Sequence, residues 1–171
     1  MALVPLSGGK LLGGTTTAPG TGGETKAKEA ELYIFDMATK QVEWHEPVFK
    51  GAQHYTDLLV GPAGTVFGFA DRKRFFVFDP TTRTIVHQRD VSKTFGLTTY
   101  GQGPRVFVPA PDNRIFVLFA KGIAQLDPVA YELTMLAESP ITIAPGGAWL
   151  DGRIYFGHSS HLYSWEAPAA Q

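Results

Sequence analysis

Thr56-Asp57-Leu58-Leu59-Val60, Val66-Phe67-Gly68-Phe69, Phe75-Phe76-Val77-Phe78 and Thr84-Ile85-Val86-His87-Gln88-Arg89-Asp90-Val91 follow one another between Tyr55 and Val91. The links are the turn Pro62-Ala63-Gly64-Thr65, the charged loop Asp71-Arg72-Lys73-Arg74 and the turn Asp79-Pro80-Thr81-Thr82-Arg83. None is long enough to hold a helix. Four short strands joined by such links form an antiparallel meander.

Two marks of this stretch recur along the chain. The third strand ends in Asp36, Asp79 and Asp127, with Glu166 in the matching place, at steps of 43, 48 and 39 residues. The turn between first and second strands reads Ser7-Gly8-Gly9-Lys10, Pro62-Ala63-Gly64-Thr65, Pro111-Asp112-Asn113-Arg114 and Leu150-Asp151-Gly152-Arg153. Two marks in phase at this spacing describe a four-stranded blade repeated radially, the β-propeller. Burial favours this over a sandwich. Phe75-Phe76-Val77-Phe78 and Ile115-Phe116-Val117-Leu118-Phe119 are apolar at every position, so both faces must be covered. No amphipathic helix is present to cover them, whereas stacked blades do so. Phe67, Phe76, Phe78, Phe116 and Tyr155 are therefore expected between sheets.

The expected architecture is an all-β segment of about four blades, near 1–50, 51–92, 93–139 and 140–171. Residues 18–30 interrupt the first blade with Gly and charge, and are expected to form a flexible insertion with one helical turn at Glu24–Glu31. The last blade ends after its third strand, His161 to Trp165, and Leu3-Val4-Pro5-Leu6 already serves blade 1 as its innermost strand. Nothing remains to complete blade 4. The chain is thus expected to be part of a larger propeller, a four-bladed ring with an incomplete blade, or half of an eight-bladed ring built by two chains. Missing blades or a second chain are then needed to close the ring.

Fifteen basic residues against sixteen acidic ones give a net charge of −1, so no global field draws the chain to nucleic acid or to a membrane. The absence of cysteine excludes disulfides and thiolate metal sites. No apolar run approaches a membrane span, and residues 1–20 show no signal-peptide pattern, which leaves localisation open.

At Leu32-Tyr33-Ile34-Phe35-Asp36-Met37-Ala38-Thr39-Lys40-Gln41-Val42-Glu43-Trp44 the chain resembles the repeat of YVTN-type and pyrroloquinoline-quinone-type (quinoprotein-like) propellers. In that repeat an Asp is followed four positions on by Gly, and eight positions on by a Trp that docks one blade on the next. Asp36 and Trp44 match. Lys40, Arg83 and Tyr131 stand at the Gly position, and His87 and Met135 at the Trp position of the next two blades. Gly13-Gly14 is also similar to the glycine pair of kelch repeats. The resemblance implies a superfamily holding both enzymes and interaction modules, between which fold does not choose.

Asp36, Asp79 and Asp127 open tight turns and are expected to accept backbone N–H groups rather than to react. Propeller topology gathers on one face the loops that join second to third and fourth to first strands. That rule nominates His54, Tyr55, Asp71, Arg72, Arg74, Tyr100, Gln102, Arg105, Lys121, His158 and His161 as ligand-binding candidates. His158-Ser159-Ser160-His161 is the sharpest local cluster, and its residues belong to a polar turn rather than to a metal site. Trp44, Trp149 and Trp165 are read as packing between blades. No nucleophile elbow, dinucleotide fingerprint or HExxH helix occurs. No catalytic residue, metal ligand or cofactor is assigned. The leading reading is a non-catalytic module that binds a protein, peptide or small ligand on its loop-rich face. The alternative is a lyase or hydrolase of carbohydrate using Arg, His and Tyr around the channel, with a quinoprotein dehydrogenase behind it.

Overall fold

The computed structural model describes residues 2–100, 105–144 and 146–169. The chain is all-β apart from one helical turn. Sheet 1 runs β1 (Ala2–Leu6), β2 (Lys10–Gly14), β3 (Leu32–Asp36), β4 (Gln41–Glu46). Sheet 2 runs β5 (Tyr55–Val60), β6 (Val66–Ala70), β7 (Arg74–Asp79), β8 (Thr84–Asp90). After the turn α1 (Ser92–Phe95), sheet 3 runs β9 (Phe107–Pro109), β10 (Ile115–Phe119), β11 (Gly122–Leu126), β12 (Leu133–Glu138). Sheet 4 has three strands among the described residues: β13 (Ala148–Leu150), β14 (Arg153–His158) and β15 (His161–Glu166). Every pairing is antiparallel between neighbours in sequence, the meander expected from the short links. Residues Met1–Asp90 form one compact unit and Val91–Gln171 another.

In the first unit the core lies between sheets 1 and 2. Leu12, Leu32 and Ile34 of sheet 1 are buried with Leu58, Val66, Phe76 and Phe78 of sheet 2. Trp44 stacks on Phe78 with ring centroids 5.5 Å apart, the docking role its place in the repeat implies. Phe49, in the link to sheet 2, meets Phe76 edge-on at 5.2 Å. The glycine pair has a packing cause: a Cβ on Gly13 would lie 2.2 Å from the Tyr33 ring, and one on Gly14 2.3 Å from Tyr55. β6 is buried throughout, as its unbroken apolar run requires.

In the second unit Phe116 of sheet 3 stacks on Trp149 at 5.6 Å and meets Trp165 edge-on at 6.2 Å, so both tryptophans pack between sheets. Phe67, Phe76, Phe78 and Phe116 are fully buried. Tyr155 departs from expectation and is only half-buried, while Ile154 and Phe156 on either side of it are buried. Successive residues of β14 face opposite ways, and the face carrying Ile154 and Phe156 packs on sheet 3, whereas Tyr155 lies on the other.

The aspartate turns behave as expected. Asp36 accepts the N–H groups of Ala38 and Thr39 at 2.7 and 2.9 Å, and Asp127 those of Val129 and Ala130 at 2.8 and 2.9 Å. Asp79 does the same with Thr81 at 2.8 Å. Lys40, Arg83 and Tyr131, four residues after each Asp, have φ of 60°, 59° and 60°. That left-handed conformation explains the glycine of the repeat, and these side chains adopt it at a cost.

The insertion is tied at its ends. Ala30 is fully buried and donates to the Ala52 carbonyl at 2.7 Å, and Glu29 accepts the Gly51 N–H at 2.7 Å. These bonds run to another loop instead of along a helix, and the helical turn expected at Glu24–Glu31 is not formed. A turn forms instead at α1, where Phe95 stacks on Phe119 at 5.2 Å and Gly96, at φ 78°, ends it.

Candidate functional site

The β6–β7 turn collects most of the candidates of the first unit. Asp71 and Arg72 both take left-handed backbone, with φ of 50° and 63°. Two consecutive non-glycine residues in that region are costly, so the surroundings must hold them there. They do so from three sides. Asp71 Oδ1 accepts the N–H groups of Gln53 and His54 at 2.8 and 3.1 Å. The Asp71 N–H donates to the His54 carbonyl at 3.0 Å. The Arg72 N–H donates to Thr56 Oγ1 at 3.0 Å, and Thr56 is available because a register shift between Tyr55 and Asp57 makes it the extra residue of a bulge.

His54 Nδ1 stands 3.5 Å from Asp71 Oδ1. Burial lowers the His54 pKa below the ordinary imidazole value, against the pull of the Asp71 carboxylate, and the Arg72 charge lowers it further. His54 is therefore held toward its neutral form beside a carboxylate already engaged by backbone. Arg74 lays its guanidinium over the Phe49 ring at 4.9 Å. Lys73, between the two arginines, is exposed. Tyr55 belongs elsewhere: it is 1% exposed, packed with Phe49 and Phe76, and its phenol pKa is raised chiefly by burial, with the Asp71 charge adding to it. It holds the core under the turn and offers no group to solvent.

In the second unit the candidates do not converge on one group. His158 and His161 face each other across the β14–β15 turn, and both rings lie against Tyr163, at 6.4 and 6.2 Å. His158 Nδ1 bonds the Thr142 carbonyl at 2.7 Å, which fixes the link entering sheet 4. Among the described residues no third His, Asp, Glu or Cys joins them in a metal-sized cluster. Lys121 and Arg105 are exposed, and Tyr100 is 63% exposed. Gln102 lies outside the described residues.

One feature of the opposite strand ends escaped the sequence. Between sheets 1 and 2 a cleft of about 400 Å³ has Leu6, Ile34 and Val60 at its apolar side and Lys10, Glu43 and Arg83 among its polar lining. Lys10 and Glu43 pair at 2.7 Å. A basic residue at or just before the start of the second strand recurs in sheets 3 and 4, where Arg114 pairs with Asp112 and Arg153 with Glu166. That regularity was visible in Lys10, Arg114 and Arg153, but their acidic partners come from different elements.

No protein-family model and no curated protein matches the chain. Solved structures do. The extracellular domain of BT4673 from B. thetaiotaomicron superposes with a TM-score of 0.68 at 13% identity, over 96% of this chain and 22% of that one. The β-propeller domain of Cps50 (Swd1) from Myceliophteria thermophila gives 0.63 at 16% identity, over 98% of this chain and 50% of that one. The fold is a β-propeller. Among the described residues the four sheets are its blades, three of four strands and one of three, and the chain spans 22% and 50% of these two matched chains. At these identities the likeness concerns fold, and function must be argued from the site.

Proposed function

We propose that this chain is a non-catalytic propeller module of the YVTN/quinoprotein-like kind, which binds an acidic segment of a protein or peptide on its loop-rich face. The observation that carries the reading is the β6–β7 turn. Two adjacent residues in left-handed backbone are held by Asp71 and Thr56, and the turn so fixed presents Arg72 and Lys73, with Arg74 over Phe49 at its end. This set of hydrogen bonds holds the primed turn in one geometry, so that its side chains are presented in a fixed arrangement. Adjacent cations in one short turn suit carboxylates, arginine through its two-pronged geometry. The carboxylate of Asp71 is engaged by the backbone of Gln53 and His54 in holding the turn, which fits a binding surface better than acid–base chemistry.

The test is fluorescence anisotropy of a labelled ten-residue glutamate peptide at low and physiological salt. Binding should weaken with salt and be abolished by the double variant Arg72→Glu, Lys73→Glu, with thermal unfolding unchanged. Binding that persists in the double variant, or that fails at low salt, refutes the assignment of this turn.

A further inference from the structure

The contact of sheet 1 with sheet 2 and that of sheet 3 with sheet 4 follow one register with different side chains. Lys10 pairs with Asp36, and Arg114, one residue before Ile115, faces Asp127 on the same count. Two residues on stand Leu12 and Phe116, both fully buried. Across the contact, Val60 pairs with Val66, which pairs with Phe78. Trp149 likewise pairs with Ile154, which pairs with Trp165. Lys10, Leu12 and Val60 of the first unit thus hold the positions of Arg114, Phe116 and Trp149 in the second.

The second set fills its place. Phe116 and Trp149 stack with centroids 5.6 Å apart and planes 10° from parallel. The Arg114 guanidinium lies over both rings, 5.2 and 5.6 Å from their centroids, and Asp112 holds it at 2.7 Å. In the first set leucine and valine replace the two rings, and the cleft of about 400 Å³ opens with Lys10 and Val60 in its lining. Leu6 and Ile34 extend its apolar side. Lys10 is held at 2.7 Å by Glu43, as Arg114 is by Asp112. Glu43 is the extra residue of a bulge, since the β3–β4 register shifts between Ile34 and Phe35. Arg83 lines the same cleft, is exposed, and joins no ion pair among the described residues.

We infer that this cleft binds a free small molecule that carries an aromatic ring and a carboxylate. The ring takes the place that Trp149 fills in the second unit, against Leu6, Ile34 and Val60. The Lys10 ammonium, held by Glu43, faces that ring as Arg114 faces Trp149. The carboxylate meets the Arg83 guanidinium. Lys10 and Glu43 cancel, so Arg83 leaves the lining one positive charge that a single carboxylate balances. Asp36 and Asp79 stand outside the lining, with their carboxylates bonded to backbone N–H groups of their own turns. The volume is that of a small-molecule site rather than of a groove for a chain. The cleft lies at the strand ends opposite the β6–β7 turn, and the inference rests on no part of the proposed function.

The test is NMR titration of the native chain with indole-3-propionate. Shifts should saturate below about 1 mM and centre on the Gly8, Gly64 and Thr81 amides and the Leu6, Ile34 and Val60 methyls. Arg83→Gln should weaken indole-3-propionate at least about fivefold, the loss of a charge-assisted hydrogen bond, and leave the binding of indole itself unchanged. Cyclohexanepropionate keeps the carboxylate but has no aromatic face, and should bind at least about threefold more weakly. Val60→Trp supplies the ring from the chain itself and should abolish binding of every probe. The Arg83→Gln and cyclohexane arms decide independently of whether Val60→Trp folds. The inference is overturned by shifts that do not saturate or that centre elsewhere, or by Arg83→Gln binding as the native chain does. It is equally overturned by a folded Val60→Trp that still binds, or by cyclohexanepropionate binding as well as the indole acid. A peptide ending in tryptophan that shifts the same residues at lower concentration would overturn it too, by making the occupant a chain end.

Discussion

Gly68 and Phe76 are directly opposite each other on β6 and β7, and a Cβ on Gly68 would stand 2.2 Å from the Phe76 ring. The ring thus lies over the space a side chain at 68 would fill, while its far side meets Phe49 at 5.2 Å and Tyr55 at 5.8 Å. Phe76→Ala removes a fully buried ring from this contact and should cost about 3–5 kcal/mol through lost transfer energy and a cavity. Gly68→Ala forces the ring aside in a packed core and should cost about 1–3 kcal/mol. In the Phe76→Ala background the clash is gone, and Gly68→Ala should instead stabilise by roughly 0.5–1 kcal/mol, because alanine loses less backbone entropy than glycine. The double variant is therefore expected to be more stable than additivity predicts by about 1.5–4 kcal/mol, at or above the upper half of the range measured for residues in contact. Urea denaturation of the four proteins, fitted with a shared m-value, reads this coupling. Additivity within about 0.5 kcal/mol would show that the ring does not lie over Gly68 and that the packing between the first two blades is wrongly described.

Lys40→Gly and Arg83→Gly should each stabilise by up to about 1 kcal/mol, the relief of left-handed strain less the added entropy of the unfolded chain, whereas alanine there should gain nothing; thermal unfolding decides. The pKa of His54 is lowered below 6.5 in the folded state, so its contribution is full above that pH and is lost as pH falls through the depressed folded value. His54→Asn should flatten the stability profile on the acid side of pH 6.5, and an unchanged profile would place the titration elsewhere. Asp36, Asp79 and Asp127 are held below the ordinary carboxylate value by backbone N–H bonds. Their stabilisation is complete above that value and is lost as pH falls through the folded pKa values, which carbon-detected NMR titration should find depressed at all three sites. Replacing 18–28 by a short Gly-Ser link should leave the melting temperature nearly unchanged, while extending the replacement through Glu29 and Ala30 should lower it, since Ala30 is buried and these two residues make the short bonds to the loop at 51–52.

The strands were legible because each is short, bounded by turn residues and joined to its neighbour, so local chemistry and local pairing coincide. The same holds for the aspartate turns, whose hydrogen bonds close within four residues, and for Trp44, which the repeat places at a fixed distance from Asp36. Tyr155 was misjudged because an apolar-looking strand does not say how many of its faces are covered; that depends on which sheets stand beside it. The candidate site divides along the same line. Topology named the loop at 71–74 as a candidate, yet the bonds that hold it come from Thr56, Gln53 and His54, brought to it only by pairing of β5 with β6. Tyr55, adjacent to His54 in sequence, points into the core instead, since neighbours on a strand face opposite ways and a bulge at Thr56 resets which way each one faces. The sequence by itself thus determined the meander, its period and its turns, which are set by contacts a few residues long. Only the tertiary structure decided which polar groups hold the frame and which remain on display, because burial is a property of what packs against a residue and not of the residue itself.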